Sequence, residues 1–300
     1  MNIIYYMSYE NIVTEIKKCC MEISHIIHNG NSSKLGSSIH ETNKTGDEVK
    51  KIDLISNELL RDQLMECSNI YAIGSEEEEE LVKTGNEGSD AKYLVCYDPL
   101  DGSSNVDVNI TVGTIFAIYE YDSDMKIASG RNIVCAGYCL YGGSTQFIIA
   151  HKSTSKISMY TLRHNNFVLL NNNLRIPSKG NIYAINESNK GRWLDPRYQQ
   201  AVDTFIADGK TQRWVASLVA DAHRTLIKGG FFSYPPDKKN TSGRIRLLYE
   251  AYPFAFIFAI AGGCASTGQG ELLDVAYPEF PHQKTGIILS SPTEFNQFLG

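Results

Sequence analysis

Apolar residues recur at spacings of three and four over residues 9–28, at Ile12, Ile16, Cys19, Ile23 and Ile27, and Asn29-Gly30 follows as a stop. That period predicts an amphipathic helix. Residues 29–44 break it: nearly all are Asn, Ser, Gly, Lys and Thr, with Leu35 and Ile39 isolated. They predict a long polar connection of the kind that serves as a lid or stays unordered. A second helix is expected from about Gly46-Asp47, with Val49, Ile52, Ile55, Leu59 and Leu64 on one face. Asn69–Ile73 reads as a short strand. Runs of Val, Ile, Tyr and Phe then predict strands at 92–97 and 111–120, and near 132–141, 145–151, 157–162 and 166–170, with turn signals such as Tyr141-Gly142-Gly143 between them. Beyond about residue 180 helical periods return at 197–207, 217–228 and 246–262, and a short strand at 286–290 completes the pattern. Two α/β halves joined near Pro177–Gly180, residues 1–178 and 179–300, account for this order.

Composition narrows the class. A chain of 300 residues that is 42% hydrophobic and 21% charged can bury a full core, which excludes a disordered or fibrous protein. Lys and Arg number 28 against 34 Asp and Glu, a formal charge of −6, so a sequence-wide basic footprint for nucleic acid is absent. The seven cysteines include no Cys-x-x-Cys pair, and several sit in apolar runs such as Leu94-Val95-Cys96-Tyr97. They read as small core residues in a reducing compartment. The longest apolar stretch, Ala251 to Cys264, is interrupted by Pro253 and falls short of the roughly 18–20 residues of a membrane span. Ile3–Met7 is too short for a signal peptide. The expectation is a soluble cytoplasmic protein.

The densest chemistry lies in Tyr97-Asp98-Pro99-Leu100-Asp101-Gly102-Ser103-Ser104-Asn105, directly after an apolar strand. Two carboxylates three residues apart around a turn can face the same small space. Hard divalent cations take oxygen ligands, and bridging Asp residues suit two ions about 3.5–4 Å apart. Gly102, Ser103 and Ser104 would offer backbone N–H groups at an expected helix start, a seat for phosphate. The plain alternative is an Asx turn with Pro and Gly punctuation; the complete run at a strand end favours the metal.

Upstream, Gly74-Ser75 leads into Glu76–Glu80. Five consecutive carboxylates usually mark a solvated surface. The strand before them places Glu76 and Glu77 at a strand end, as ligand and base candidates, and leaves Glu78, Glu79 and Glu80 as surface charge. Asp53 on its own reads as a solvated helix residue. Glu250 lies in the nearly uncharged run Leu247-Leu248-Tyr249-Glu250-Ala251, and a buried carboxylate needs a partner or a metal. Arg244 and Arg246 make a salt bridge the alternative. His223 reads as a satisfied helix histidine before it reads as a base. No Gly-x-Gly-x-x-Gly, P-loop or Gly-x-Ser-x-Gly is present, which argues against nucleotide-cofactor, P-loop and serine-hydrolase chemistry.

Asp98-Pro99-Leu100-Asp101-Gly102-Ser103-Ser104 resembles the signature of the magnesium-dependent, lithium-sensitive sugar phosphatase superfamily. Within it the chain is similar to class I fructose-1,6-bisphosphatases from about Thr42 onward, through Thr45–Asp53, Val112–Phe116, Val219–Leu226 and Arg246–Glu250 followed by Ala261-Gly262-Gly263. The resemblance implies a layered α-β-α-β-α fold with the site between two halves. It also implies hydrolysis of the 1-phosphate of fructose 1,6-bisphosphate in gluconeogenesis, and a homotetramer. Two or more Mg2+ ions per subunit are expected, with Mn2+ or Zn2+ as substitutes. In that likeness Glu76, Asp98, Asp101 and Glu250, with the Leu100 carbonyl, hold the ions, while Asp53 and Glu77 orient and deprotonate the attacking water. Asn186, Arg213, Tyr234, Arg244 and Arg246 match sugar- and phosphate-contacting positions, Arg213 reaching in from a neighbouring subunit. The stretch 29–47 matches a mobile loop that closes over the metals.

The chain departs from that pattern in places. Asn189 and Trp214 stand where the family commonly has Tyr, Ala216 where it has Gly, and Arg244 where it has Lys. These positions surround the sugar pocket and keep a sedoheptulose-1,7-bisphosphatase open as an alternative; a non-catalytic sugar-phosphate-binding regulatory protein on the same fold is a second alternative, of a different class. Lys92-Tyr93 matches part of the AMP site of regulated members. However, Tyr6-Met7-Ser8-Tyr9 replaces the phosphate loop and Glu120 stands where a positive residue is expected, so AMP inhibition is expected to be weak or absent.

Overall fold

The computed structural model describes residues 8–30, 32–42, 48–86, 91–122, 124 and 126–300. The sequence periods become elements stacked as helix, sheet, helix, sheet, helix. Helices Glu10–Asn29 and Lys51–Met65 pack on one another and bury Ile12, Ile16, Ile23, Ile52, Leu60 and Leu64 against one face of an eight-stranded sheet. From one edge that sheet runs Asn166–Asn171, Lys156–Arg163, Thr145–His151, Ile133–Tyr141, Val112–Glu120, Tyr93–Asp101, Ile70–Ser75 and Val82–Lys83. Neighbours are antiparallel except Ile70–Ser75 and Tyr93–Asp101, which run parallel.

Helices Leu218–Lys228 and Tyr252–Ala261 form the middle layer. The second is apolar nearly all round because it is covered on both sides. A five-stranded sheet follows, ordered Thr211–Gln212, Ile182–Ala184, Phe231–Tyr234, Ile287–Ser290 and Cys264–Ser266. Helices Arg197–Ala207 and Pro292–Leu299 cover its outer face around Tyr198, Phe205, Phe231 and Phe298. This is the expected layered α-β-α-β-α architecture.

Several expectations need correction. The second helix begins at Lys51, after a strand Glu48–Lys50, and Gly46-Asp47 lie outside the described residues. The Lys50 N–H donates to Asp53 Oδ2 at 2.8 Å, a cap that starts the helix about one turn later than the polar pattern suggested. The buried face therefore carries Ile52, Asp53, Ser56, Asn57, Leu60 and Leu64 rather than Ile55 and Leu59. The described part of the polar connection holds a short helix Ser32–Leu35 and a strand Ser38–Thr42 antiparallel to Glu48–Lys50. The expected helix 246–262 opens with a π-type turn, Leu247–Ala251, and Arg246 is extended.

Near Gly180 the chain passes from the large sheet to the small one through a tight buried knot. A Cβ on Gly180 would lie 2.2 Å from the Gly229 carbonyl carbon, so no larger residue fits. Lys210 Nζ donates to the Gly180 carbonyl and to Glu294 Oε1, each at 2.7 Å, and the Gly180 N–H donates to the Glu294 carboxylate at 3.3 Å. Among the described residues no helix is long and apolar enough to cross a membrane.

Candidate active site

A cavity of about 520 Å³ opens where the two parallel strands end. Ser75 is in register with Tyr97, so both strands release their chains at the same level. Glu76 N–H still donates to the Tyr97 carbonyl at 3.2 Å, which places Glu76 beside Asp98. Asp98 turns its Oδ1 back onto the Leu100 N–H at 2.9 Å. Asp101 Oδ2 accepts from Val219 N–H at 2.8 Å and Ser217 Oγ at 3.1 Å, both at the start of helix Leu218–Lys228. Gly102 permits this approach: its φ is 78°, and a Cβ there would lie 2.9 Å from Ser217 Oγ. The Leu247–Ala251 turn brings in Glu250, whose Oε2 accepts from Arg246 N–H at 2.5 Å. Oxygens of Asp98, Asp101 and Glu250 all lie within 4.8 Å of one another.

Burial governs the electrostatics. It pushes Glu250 up to about 8 and Asp101 up to about 6, and raises Asp98 well above the usual carboxylate range. The neighbouring charge of Glu76 adds to each shift. Arg246 opposes it, with Nη2 2.7 Å from Glu76 Oε1 and Nη1 3.9 Å from Glu250 Oε2. Asp53, also buried, is raised to about 7, while its bond from Lys50 N–H resists the shift. Glu77 is placed by Ser75: Glu77 N–H donates to Ser75 Oγ at 3.2 Å, and Ser75 Oγ donates to Asn57 Oδ1 at 2.7 Å.

Models described as "Fructose-1-6-bisphosphatase, N-terminal domain" and "Fructose-1-6-bisphosphatase, C-terminal domain" match residues 6–172 and 176–299. The chain belongs to the fructose-1,6-bisphosphatase family. The class 1 fructose-1,6-bisphosphatase of Persephonella marina is 41% identical over 279 residues, covering 92% of this chain and 86% of that protein. Fructose-1,6-bisphosphatase 1 of Bos taurus is 42% identical over 269 residues, covering 86% and 79%. The solved structure of Leishmania major fructose-1,6-bisphosphatase in holo form superposes with a TM-score of 0.91 at 32% identity, over 98% of this chain and 94% of that one.

In this member of the fructose-1,6-bisphosphatase family, this cavity gathers most of the residues expected from sequence. Asp53, Glu76, Glu77, Asp98, Leu100, Asp101 and Glu250 line it, as do Gly102, Ser103, Ser104, Tyr234, Arg244 and Arg246. Asn186 and Arg213 are not among its lining residues. Asn186 caps the turn Glu187–Arg192 through Ser188 N–H at 3.1 Å. Arg213 is exposed in a separate cleft with Lys179, Arg224 and Lys228. Residues 103–105 form one 3-10 turn, not the start of a longer helix. Asp53 is buried rather than solvated. Glu78 is half-buried, not plain surface charge, and accepts from Asn57 Nδ2 at 3.1 Å. His223 is satisfied by Tyr138, at 2.8 Å.

Lys50, Ser217 and Lys284 also belong to the site or its wall and were not read from the sequence. Ser217, directly before a helix, carried an N-cap signal, but its hydroxyl serves Asp101 instead. Ala216 in the cavity wall has φ 67°, in the region that favours glycine. Ala216→Gly is expected to stabilise the fold by about 1 kcal/mol in a urea titration; a loss of stability would show that the Ala216 methyl packs favourably enough to outweigh the strain.

Proposed function

We infer that the chain hydrolyses fructose 1,6-bisphosphate at the 1-phosphate, releasing fructose 6-phosphate and phosphate. The observation that carries this reading is one cavity lined by both kinds of charge. The buried carboxylates of Asp98, Asp101 and Glu250 crowd together in it, and Lys50, Arg244, Arg246 and Lys284 line the same cavity. A substrate with two phosphates, one for the carboxylate-bound cations and one for the cationic side chains, matches that lining.

The donor set suits a hard divalent cation. All ligand atoms are oxygens, and the raised carboxyls mark negative charge that the protein alone compensates poorly. Glu76, Asp98, Asp101, Glu250 and the Leu100 carbonyl would hold two or more Mg2+ ions, with Mn2+ or Zn2+ as substitutes. Such ions supply charge neutralisation at phosphate and a more acidic water. Asp53, titrating near neutrality, accepts the proton of the attacking water, and Glu77 orients it. Gly102, Ser103 and Ser104 seat the 1-phosphate. Tyr234, Arg244 and Arg246 hold the sugar and its second phosphate. Residues 1–178 thus carry most of the metal carboxylates, and 179–300 bind the sugar. Asn186 and a neighbouring subunit's copy of Arg213 complete the site in a homotetramer. Supporting association, the edge strand Asn166–Asn171 exposes Val168, Leu169 and Leu170 side by side. Six of the seven cysteines are buried thiols, which supports a reducing cytoplasm.

The deciding assay is phosphate release from fructose 1,6-bisphosphate and sedoheptulose 1,7-bisphosphate, side by side, with magnesium and with a chelator. Chelator-sensitive preference for the first is expected. Preference for the second would move the substrate, and no turnover of either would leave a binding protein.

Two further outcomes follow. Folded Asp53 and Glu250 keep protons to about pH 7 and 8, whereas the unfolded chain releases them above about pH 4. Their ionisation therefore works against the fold, so chelated protein is expected to melt at lower temperature at about pH 8 than at about pH 5.5. Magnesium should remove most of that difference, and equal chelated melts would refute the assignment. Secondly, Glu120 lies 2.7 Å from Lys92, neutralising the cation of the matched AMP site. Tyr6 and Met7 lie outside the described residues. Millimolar AMP is expected to leave turnover unchanged; micromolar inhibition would contradict this.

A further inference from the structure

The segment holding His282 runs beside the turn that carries Glu250. Ile245 pairs with Thr285 and Arg246 with Lys284 in an antiparallel ladder, and Leu247 N–H donates to the Gln283 carbonyl at 2.8 Å. This register delivers the half-buried His282 into the seam between two acidic segments: the Glu76–Glu78 turn and the Leu247–Ala251 turn. His282 Nε2 lies 2.9 Å from the Glu78 carbonyl oxygen, and Nδ1 lies 2.6 Å from the Tyr249 hydroxyl. A carbonyl only accepts, so Nε2 carries the ring proton. In the neutral ring Nδ1 then accepts, and the Tyr249 O–H donates. Chemistry alone therefore assigns both protons.

We propose that His282 is a positioning residue that sets the separation between Glu76 and Glu250. Arg246 also joins these two segments, but through the Glu76 carboxylate itself. The His282 bridge uses a backbone carbonyl and a phenol, and leaves both carboxylates available to a cation. On the Glu76 side the turn is anchored to its own sheet by Glu76 N–H on the Tyr97 carbonyl, and to helix Lys51–Met65 by Ser75 Oγ on Asn57. On the Glu250 side Tyr249 is fully buried, so its hydroxyl is a fixed point. The imidazole is a rigid spacer between them, and the inference rests on reading Glu76 and Glu250 as cation ligands.

The test is direct Mn2+ binding to the full chain without substrate, read from the free-ion spin-resonance signal, with thermal melts on the same samples. Partners that hold ligands in place typically change metal affinity 10–100-fold, so Tyr249→Phe and His282→Ala are each expected to weaken Mn2+ binding about 10-fold. His282→Gln, which presents one donor and one acceptor, is expected to bind close to the parent. If His282→Ala does not fold, Tyr249→Phe, which removes one hydroxyl, decides. Parent-like Mn2+ affinity in Tyr249→Phe overturns the proposal whatever its melting temperature, and so does equal weakening in the Gln and Ala variants. A parent protein that binds no Mn2+ overturns the metal reading first and this inference with it.

Discussion

Asp101→Asn is expected to stop phosphate release while leaving the protein folded. The amide has the shape of the carboxylate, and its oxygen can still accept from Val219 N–H and Ser217 Oγ. It removes one negative charge from a cluster in which burial and like charges already strain Asp98, Asp101 and Glu250. Chelated Asp101→Asn is therefore expected to melt no lower than the parent. Turnover should respond in the opposite way, because a lost ligand forfeits several kcal/mol of charge stabilisation, about 10³-fold or more in rate. Phosphate release with saturating magnesium measures the effect. Parent-like turnover would remove Asp101 from the cation site.

Glu294→Gln is expected to have the largest effect on stability. Lys210 and Glu294 are both almost inaccessible, at 2% and 0% side-chain exposure, and remote from the carboxylate cluster. Removing one partner leaves a buried ammonium facing an amide, which costs about 3–5 kcal/mol. The double change Lys210→Met with Glu294→Leu removes both charges and should recover part of that loss, the Gly180 N–H and carbonyl losing these partners. Urea midpoints of the two variants and the parent give the comparison. The exposed pair Arg131–Asp274, at 2.7 Å, is a control: Arg131→Ala is expected to cost less than about 1 kcal/mol. Equal losses at the two sites would mean that burial does not set the energetics of the knot.

The large sheet was legible because its strands are long and, once covered on both faces, almost uninterruptedly apolar; Tyr93–Asp101 is buried at every position. Of the small sheet only Ile287–Ser290 was, because Ile182–Ala184, Thr211–Gln212 and Cys264–Ser266 are too short to show a period. Helix Pro292–Leu299 escaped for a similar reason, with Phe295 and Phe298 as its aromatic anchors. In the site, Asp98 and Asp101 could be read from a motif at a strand end. Asp53 and Glu78 could not. Asp53 is buried because the helix starts at Lys51 and turns that face inward, and Glu78 because Asn57, one turn further along, reaches its carboxylate. Family likeness supplied the role proposed for Asp53, which its neighbours Lys51 and Leu54 conceal.

Asp101 is fastened to Ser217 and Val219, 116 and 118 residues further along the chain. During refolding, most of the large sheet can form through neighbouring hairpins while that carboxylate is still unheld. Contacts between distant parts of a chain form late, since the intervening loop must close first. Recovered turnover would then trail recovered helix and strand signals, making catalysis a clock for the last docking step rather than for chain collapse.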